Sequence, residues 1–195
     1  MNLSPDELDA LGEVVNIGVG RAASSLSDLL GSRIDLKVPL VQVLSKEETE
    51  AQNAIGMSIA QKFDGQVAGK ALLVFPPESG RQLAGLLGGY DGTEDIPEIE
   101  LSGILSEVGN IVLNGVLGSL ANILEAHLDY SVPDFFIDRS IPQLVSQADE
   151  NDLGRVLIAD TEFSVSSENI NGSVVIAFEI GSLENLIGFL RTLTA

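Results

Sequence analysis

Apolar residues fall into two long helical stripes, each followed by shorter runs of strand character. The first stripe, Leu8, Leu11, Val15, Ala22, Leu26 and Leu29, repeats at spacings of three, four and seven, the period of one helix face. Ser4-Pro5-Asp6-Glu7 precedes it with an N-cap serine, a proline at the first helical position and a glutamate three residues on, a capping box. Gly31 is placed to end the helix. The run from Ile34 to Val43 predicts a strand, which Pro39 confines to an edge or a bulge. Ala54 to Lys62 and Gln66 to Phe75 predict a strand pair turning near Asp64-Gly65, and a short helix follows from Pro77 to Leu87.

The same order then recurs. Gly88-Gly89-Tyr90-Asp91-Gly92 is a turn-rich linker, and Asp95 to Glu98 gives a weaker capping signal. A second helix carries Leu101, Leu105, Val108, Val112, Val116, Leu120 and Ile123 on one stripe. Tyr130 to Ile137, Arg155 to Ser164 and Gly172 to Ile180 read as strands, and Leu183 to Leu193 as a closing helix. The extra length lies in Ser140 to Gly154, a polar, acidic insertion with room for a short helix. The expected fold is α+β: a pseudo-two-fold duplicated unit, with a shared antiparallel sheet and two long helices on one face. Residues 1–195 then form one domain of two repeats, about 1–90 and about 95–195, neither long enough to bury its apolar face well alone.

Three positions mark the repetition. Glu13 is followed three residues later by Asn16, and Pro39 lies 23 beyond; Glu107, Asn110 and Pro133 keep the same spacing 94 positions on. Residues three apart on a helix are surface neighbours, so each pair presents a carboxylate beside an amide. On the helical wheel Asp9, Glu13, Asn16 and Gly20 fall together, well away from the first apolar stripe. Gly103, Glu107, Asn110 and Asn114 do so in the second helix. Both pairs are therefore expected to be exposed. Asn is a poor mid-helix residue, because its side chain competes for backbone hydrogen bonds. Gly18 and Gly20 weaken the first helix further and would let another protein come close. Two readings stand: a partner-facing site used twice, or an ordinary solvated Glu and Asn copied by duplication.

Composition narrows the partners. With 29 acidic and 10 basic residues, the net charge of −19 repels phosphate backbones and anionic lipid, so neither nucleic acid nor a membrane surface is expected. There is no cysteine, hence no disulfide, thiol nucleophile or thiolate metal site. Met1 to Glu7 lacks the basic and apolar regions of a signal peptide. The apolar stretch from Gly109 to Leu128 is interrupted by Asn110, Asn114, Ser119, Asn122, Glu125 and His127, which suits a core helix rather than a membrane span. A cytoplasmic location is expected.

The residues carry a family likeness. An acidic residue or Ser, then Glu, Asn and Pro at the spacing of Asp9, Glu13, Asn16 and Pro39, resembles the signature of the CheC/CheX/FliY phosphatases. The text around Glu13, from Gly12 to Gly20, is also similar to that of CheC-type members. Glu107, Asn110 and Pro133 match again, with Gly103 at the position of the acid or Ser. The likeness spans essentially the whole chain. It implies hydrolysis of the aspartyl phosphate on the chemotaxis response regulator CheY, with Glu13, Asn16, Glu107 and Asn110 as site residues. It also implies a partnership with the receptor deamidase CheD and no cofactor on this chain, Mg²⁺ being held by the regulator. Within that implied mechanism the amide positions the attacking water and the glutamate docks against the regulator's active-site lysine.

The alternative is a non-catalytic interaction or scaffold protein of the chemotaxis or flagellar switch apparatus. A metal-dependent hydrolase would need its carboxylates gathered, and the densest cluster, Asp91, Glu94, Asp95, Glu98 and Glu100, suits a solvated helix start better. Gly18-Val19-Gly20 lies inside a helix and lacks the third glycine of a nucleotide loop. His127, near the second helix's end, suits dipole contacts or packing better than catalysis.

Overall fold

The computed structural model describes residues 4–45, 48, 55–90, 95–145, 155–165, 168, 170–179 and 183–193. In chain order the elements are α1 (Pro5–Leu30), β1 (Ile34–Leu36), β2 (Leu40–Ser45), β3 (Ile55–Gly65), β4 (Gly69–Phe75), α2 (Pro77–Gly88), α3 (Glu98–Ile123), β5 (Leu128–Tyr130), β6 (Asp134–Ser140), α4 (Ile141–Val145), β7 (Arg155–Val165), β8 (Ile170–Phe178) and α5 (Leu183–Leu193). The fold is α+β, as expected. One antiparallel sheet runs β1-β7-β8-β4-β3-β5, with β2 also pairing β7 and β6 also pairing β3.

Local chemistry explains the helix ends. Ser4 Oγ accepts from the Glu7 backbone N–H at 3.2 Å, and Glu7 Oε2 accepts from the Ser4 N–H at 2.8 Å, so the capping box is formed. Gly31 closes α1 in the left-handed conformation, at φ 62°. The capping signal at Asp95 does not hold. Pro97 occupies the N-cap of α3, no side chain caps it, and the neighbouring Ile96 is buried instead.

The strands predicted around Pro39 and Pro133 are each broken in two. Pro39 lies between β1 and β2, and Pro133 between β5 and β6, because a proline cannot donate to the ladder. The turn between β3 and β4 falls at residues 66–68, slightly later than Asp64-Gly65. The insertion opens with the short helix α4, and its remainder, 146–154, lies outside the described residues.

Alternation along the central strands sends Met57, Ile59 and Phe63, Ala71, Leu73 and Phe75, and Val174, Ile176 and Phe178 to one face. There they pack against Leu11, Val15 and Ala22 of α1 and against Leu105, Val112 and Val116 of α3. Leu72, Val74, Ile158 and Val175 point the other way, into a smaller cluster with Ile141, Leu144 and Val145. Of the first predicted stripe Leu29 is exposed, while Val14 and Val19 join the core. Gly18 is buried in the α1–α3 contact, where an added Cβ would lie 3.2 Å from the Val116 carbonyl oxygen. Its lack of a side chain thus serves the other long helix, not a foreign protein. The apolar helix α3, long enough to cross a membrane by composition, likewise turns its stripe onto α1 and the sheet.

The strand pairing crosses between the halves of the chain. β1 and β2 pair with β7, while β5 and β6 pair with β3. The registers correspond: Ile34 faces Val165 as Leu128 faces Gly65, and Leu40 faces Asp160 as Asp134 faces Ala60. Between the halves, β4 and β8 join antiparallel with Gly69 opposite Phe178.

Candidate functional site

Each Glu-x-x-Asn pair sits on a long helix opposite one of the broken strands. On α1, Glu13 is exposed and Asn16 half-buried; on α3, Glu107 is exposed and Asn110 half-buried. The expectation of open solvent therefore holds for the carboxylates but not fully for the amides. At the first pair the proline loop stands across an open groove from the amide. Around the first pair, Asp9, Glu13 and Asn16 from the helix and Val38 and Pro39 from the loop line an open groove of about 380 Å³.

The loops are held alike. The Lys37 N–H donates to the Glu162 carbonyl at 2.9 Å, and the Ser131 N–H donates to the Lys62 carbonyl at 3.0 Å. Lys37 Nζ also pairs with the Glu162 carboxylate. Beyond each anchor a valine precedes the proline, Val38 at 86% and Val132 at 82% exposure. Each loop thus carries an exposed apolar side chain, and Val38 lines the groove with Glu13 and Asn16.

The two sites differ in what stands behind the amide. Asn16 has no side-chain hydrogen bond among the described residues. Asn110 Oδ1 accepts from Asn114 Nδ2 at 2.7 Å. Asn114 Oδ1 in turn accepts from Gln61 Nε2 at 2.9 Å, and the same Gln61 nitrogen donates to the Ser131 carbonyl at 2.9 Å. Sequence reasoning placed Asn114 on the right helix face but gave it no role, although a spacing of four from Asn110 was a usable signal. Gln61 carried no such signal.

Gly103 leaves open space at the position that Asp9 fills on α1. His127 lies past the end of α3, exposed, 3.7 Å from the Asp129 carboxylate. Of the acidic linker cluster, Asp91 and Glu94 lie outside the described residues. Among the described residues no three His, Asp or Glu side chains gather as a metal ligand set.

A sequence profile of the CheC-like family matches residues 7–42, the segment holding Asp9, Glu13, Asn16 and Pro39. Over 143 residues the chain is 32% identical to the CheY-P phosphatase CheC of Bacillus subtilis strain 168, covering 70% of this chain and 68% of that protein. The chain belongs to the CheC-like family. Among solved structures, Thermotoga maritima FliY superposes with a TM-score of 0.74 at 20% identity, covering 98% of this chain and 99% of that one. The FliM middle domain of H. pylori gives a TM-score of 0.64 at 12% identity, covering 96% of this chain and 99% of that one. At those identities the structural matches show the fold alone. The fold is thus shared with proteins of different names, and what sets this chain apart is its Glu and Asn pairs.

Proposed function

We propose that this chain is a cytoplasmic hydrolase that removes the phosphoryl group from phosphorylated CheY, using Glu13 and Asn16 at one site and Glu107 and Asn110 at the other. One observation carries the reading: an exposed carboxylate and a half-buried amide recur on α1 and α3, each beside a pinned Val-Pro loop. The relative named as a CheY-P phosphatase supports the substrate class.

An aspartyl phosphate is an activated acyl phosphate. Hydrolysis needs a water oxygen in line with phosphorus; its bond to phosphorus forms as the bond from phosphorus to the carboxylate oxygen breaks. The carboxylate leaves unprotonated, and the water's protons pass to inorganic phosphate and solvent. The amide carbonyl can accept from that water while its N–H donates to a phosphoryl oxygen, which orients both without a base. The exposed glutamate meets a cation of the regulator and fixes the docking register.

The test is the decay of phosphorylated CheY with substoichiometric protein. Asn16→Ala or Asn110→Ala alone retains partial turnover, and the folded double variant loses about a hundredfold or more. Undiminished decay in the double variant overturns the role given to the amides. The likeness to a FliM middle domain favours a second reading, a non-catalytic scaffold of the chemotaxis or flagellar switch apparatus. Such a protein would bind the regulator without shortening the life of its phosphate.

A further inference from the structure

The second site has a supporting chain of amides that the first lacks, and its direction is defined. Gln61 lies on the helix-facing side of β3, between Ile59 and Phe63, and is only 2% exposed. It donates outward to Asn114, which donates outward to Asn110. Its own Oε1 has no hydrogen-bond partner among the described residues. A buried amide with an unmatched oxygen destabilises a fold, so an apolar residue would serve packing better at position 61. What Gln61 adds is donation, to Asn114 and to the Ser131 carbonyl at the foot of the Val132-Pro133 loop.

We propose that Asn114, held by Gln61, is a positioning residue of the Asn110 site, fixing which end of the Asn110 amide meets the phosphoryl group; this rests on the phosphatase reading above. An asparagine on a helix surface turns its amide end for end at little cost, and the two orientations exchange donor for acceptor. With Asn114 Nδ2 2.7 Å from Asn110 Oδ1, the oxygen is held toward the helix with one lone pair engaged. Nδ2 then keeps both protons to donate to phosphoryl oxygen, and the second lone pair stays available to the attacking water. Accepting a hydrogen bond at the carbonyl also polarises the amide and strengthens its N–H as a donor. The amide is therefore set before the regulator arrives, and its ordering is not charged to the encounter.

The corresponding positions behind Asn16 cannot do this. Gly20 stands where Asn114 does and has no side chain, and Thr161 on β7 stands where Gln61 does. The Thr161 hydroxyl is buried without a partner among the described residues. Asn16 is oriented only when the regulator's phosphoryl group engages it.

The experiment isolates the second site in an Asn16→Ala parent and follows single-turnover and steady-state decay of phosphorylated CheY. Asn114→Ala lowers kcat about three- to tenfold with KM within twofold, the effect of freeing one polar side chain. Asn114→Asp, equal in size but unable to donate, lowers kcat at least as far, because Asn110 then turns its own N–H inward. Gln61→Leu keeps the core filled, so its melting temperature does not fall, yet it lowers kcat in the same direction. It also guards against an Asn114 variant that fails to fold. In an Asn110→Ala parent none of these changes alters turnover. Asn110-dependent turnover whose kcat Asn114→Asp and Gln61→Leu leave unchanged overturns the positioning role alone. Absence of Asn110-dependent turnover in the Asn16→Ala parent overturns the phosphatase reading of this site and the positioning role with it.

Discussion

Glu7, on the first turn of α1, accepts a hydrogen bond at 3.0 Å from Arg191 Nε on α5, joining helices from opposite ends of the sequence. The other Glu7 oxygen closes the capping box with the Ser4 N–H. The turn so held carries Pro5, Leu8 and Asp9, one wall of the groove at Asn16. The backbone N–H of Ser4 above all, helped by the Arg191 guanidinium, holds the Glu7 carboxyl below its ordinary value of 4.5 despite some desolvation.

A carboxylate with a depressed folded pKa stabilises the protein above its unfolded value, and the contribution disappears as pH falls through the folded one. Acid unfolding should therefore include a Glu7 component below about pH 4.5. Urea titrations from pH 7 down to pH 3 should show that component missing in Glu7→Gln. Ser4→Ala, which removes the other half of the box, should cost about 1 kcal/mol across the range.

Much of this part of the molecule was legible from the chain alone. Ser4, Pro5, Glu7 and Gly31 act on their immediate neighbours, so the ends of α1 follow from local chemistry, and α5 begins and ends where its pattern placed it. Pro39 marks its strand as an edge or a bulge and Pro133 matches it in spacing, and each divides its strand. Local pattern gave the β3–β4 pair but not the partners of the strands that the prolines divide. β2 pairs with β7 across more than a hundred residues, and only the assembled sheet fixes that register. For the same reason nothing local marked Gln61, one polar residue within a predicted strand. Its neighbours Asn114 and Ser131 reach it from 53 and 70 residues away.

Charge reversal at the exposed glutamates should separate docking from chemistry. Glu13→Lys combined with Glu107→Lys should raise KM for phosphorylated CheY about tenfold, with kcat at saturation changed little. Steady-state kinetics at two salt concentrations check this, since a docking charge loses influence as ionic strength rises. A fall in kcat with constant KM would instead put the glutamates in the chemical step.

Asp160 should report on the far face of the sheet. Burial, with the Glu162 carboxylate adding to it, pushes the Asp160 carboxyl above the usual range, and its Oδ1 has no hydrogen-bond partner among the described residues. A group raised in the folded state contributes stability below its unfolded pKa, and that contribution is lost as pH rises through the folded value. Asp160→Asn should therefore melt higher than the parent at pH 7, with the difference shrinking toward pH 4. Equal melting temperatures at both pH values would contradict it.

Two glycines on α3 should respond in opposite senses. A Cβ on Gly109, beside Asn110, would lie 2.4 Å from Ile59 Cγ2, whereas one on Gly103 meets nothing within 4 Å. Gly109→Ala should destabilise by about 1–3 kcal/mol, as overpacking does, and should lower turnover at Asn110 by shifting the helix. Gly103→Ala should stabilise by up to about 1 kcal/mol through helix propensity alone. Chemical denaturation of both variants checks the contrast.

The crossed strand pairing makes the two half-chains mutually dependent. The helix bearing Asn110 belongs to one half, but Gln61 and the Lys62 carbonyl that pins its proline loop belong to the other. The loop beside Asn16 is fastened to Glu162 in the same reciprocal way. Cutting the polypeptide between α2 and α3 would give each fragment a Glu-Asn pair and deprive it of the strand beneath. Neither fragment would own a complete site; mixed, they would restore both by complementation, or neither.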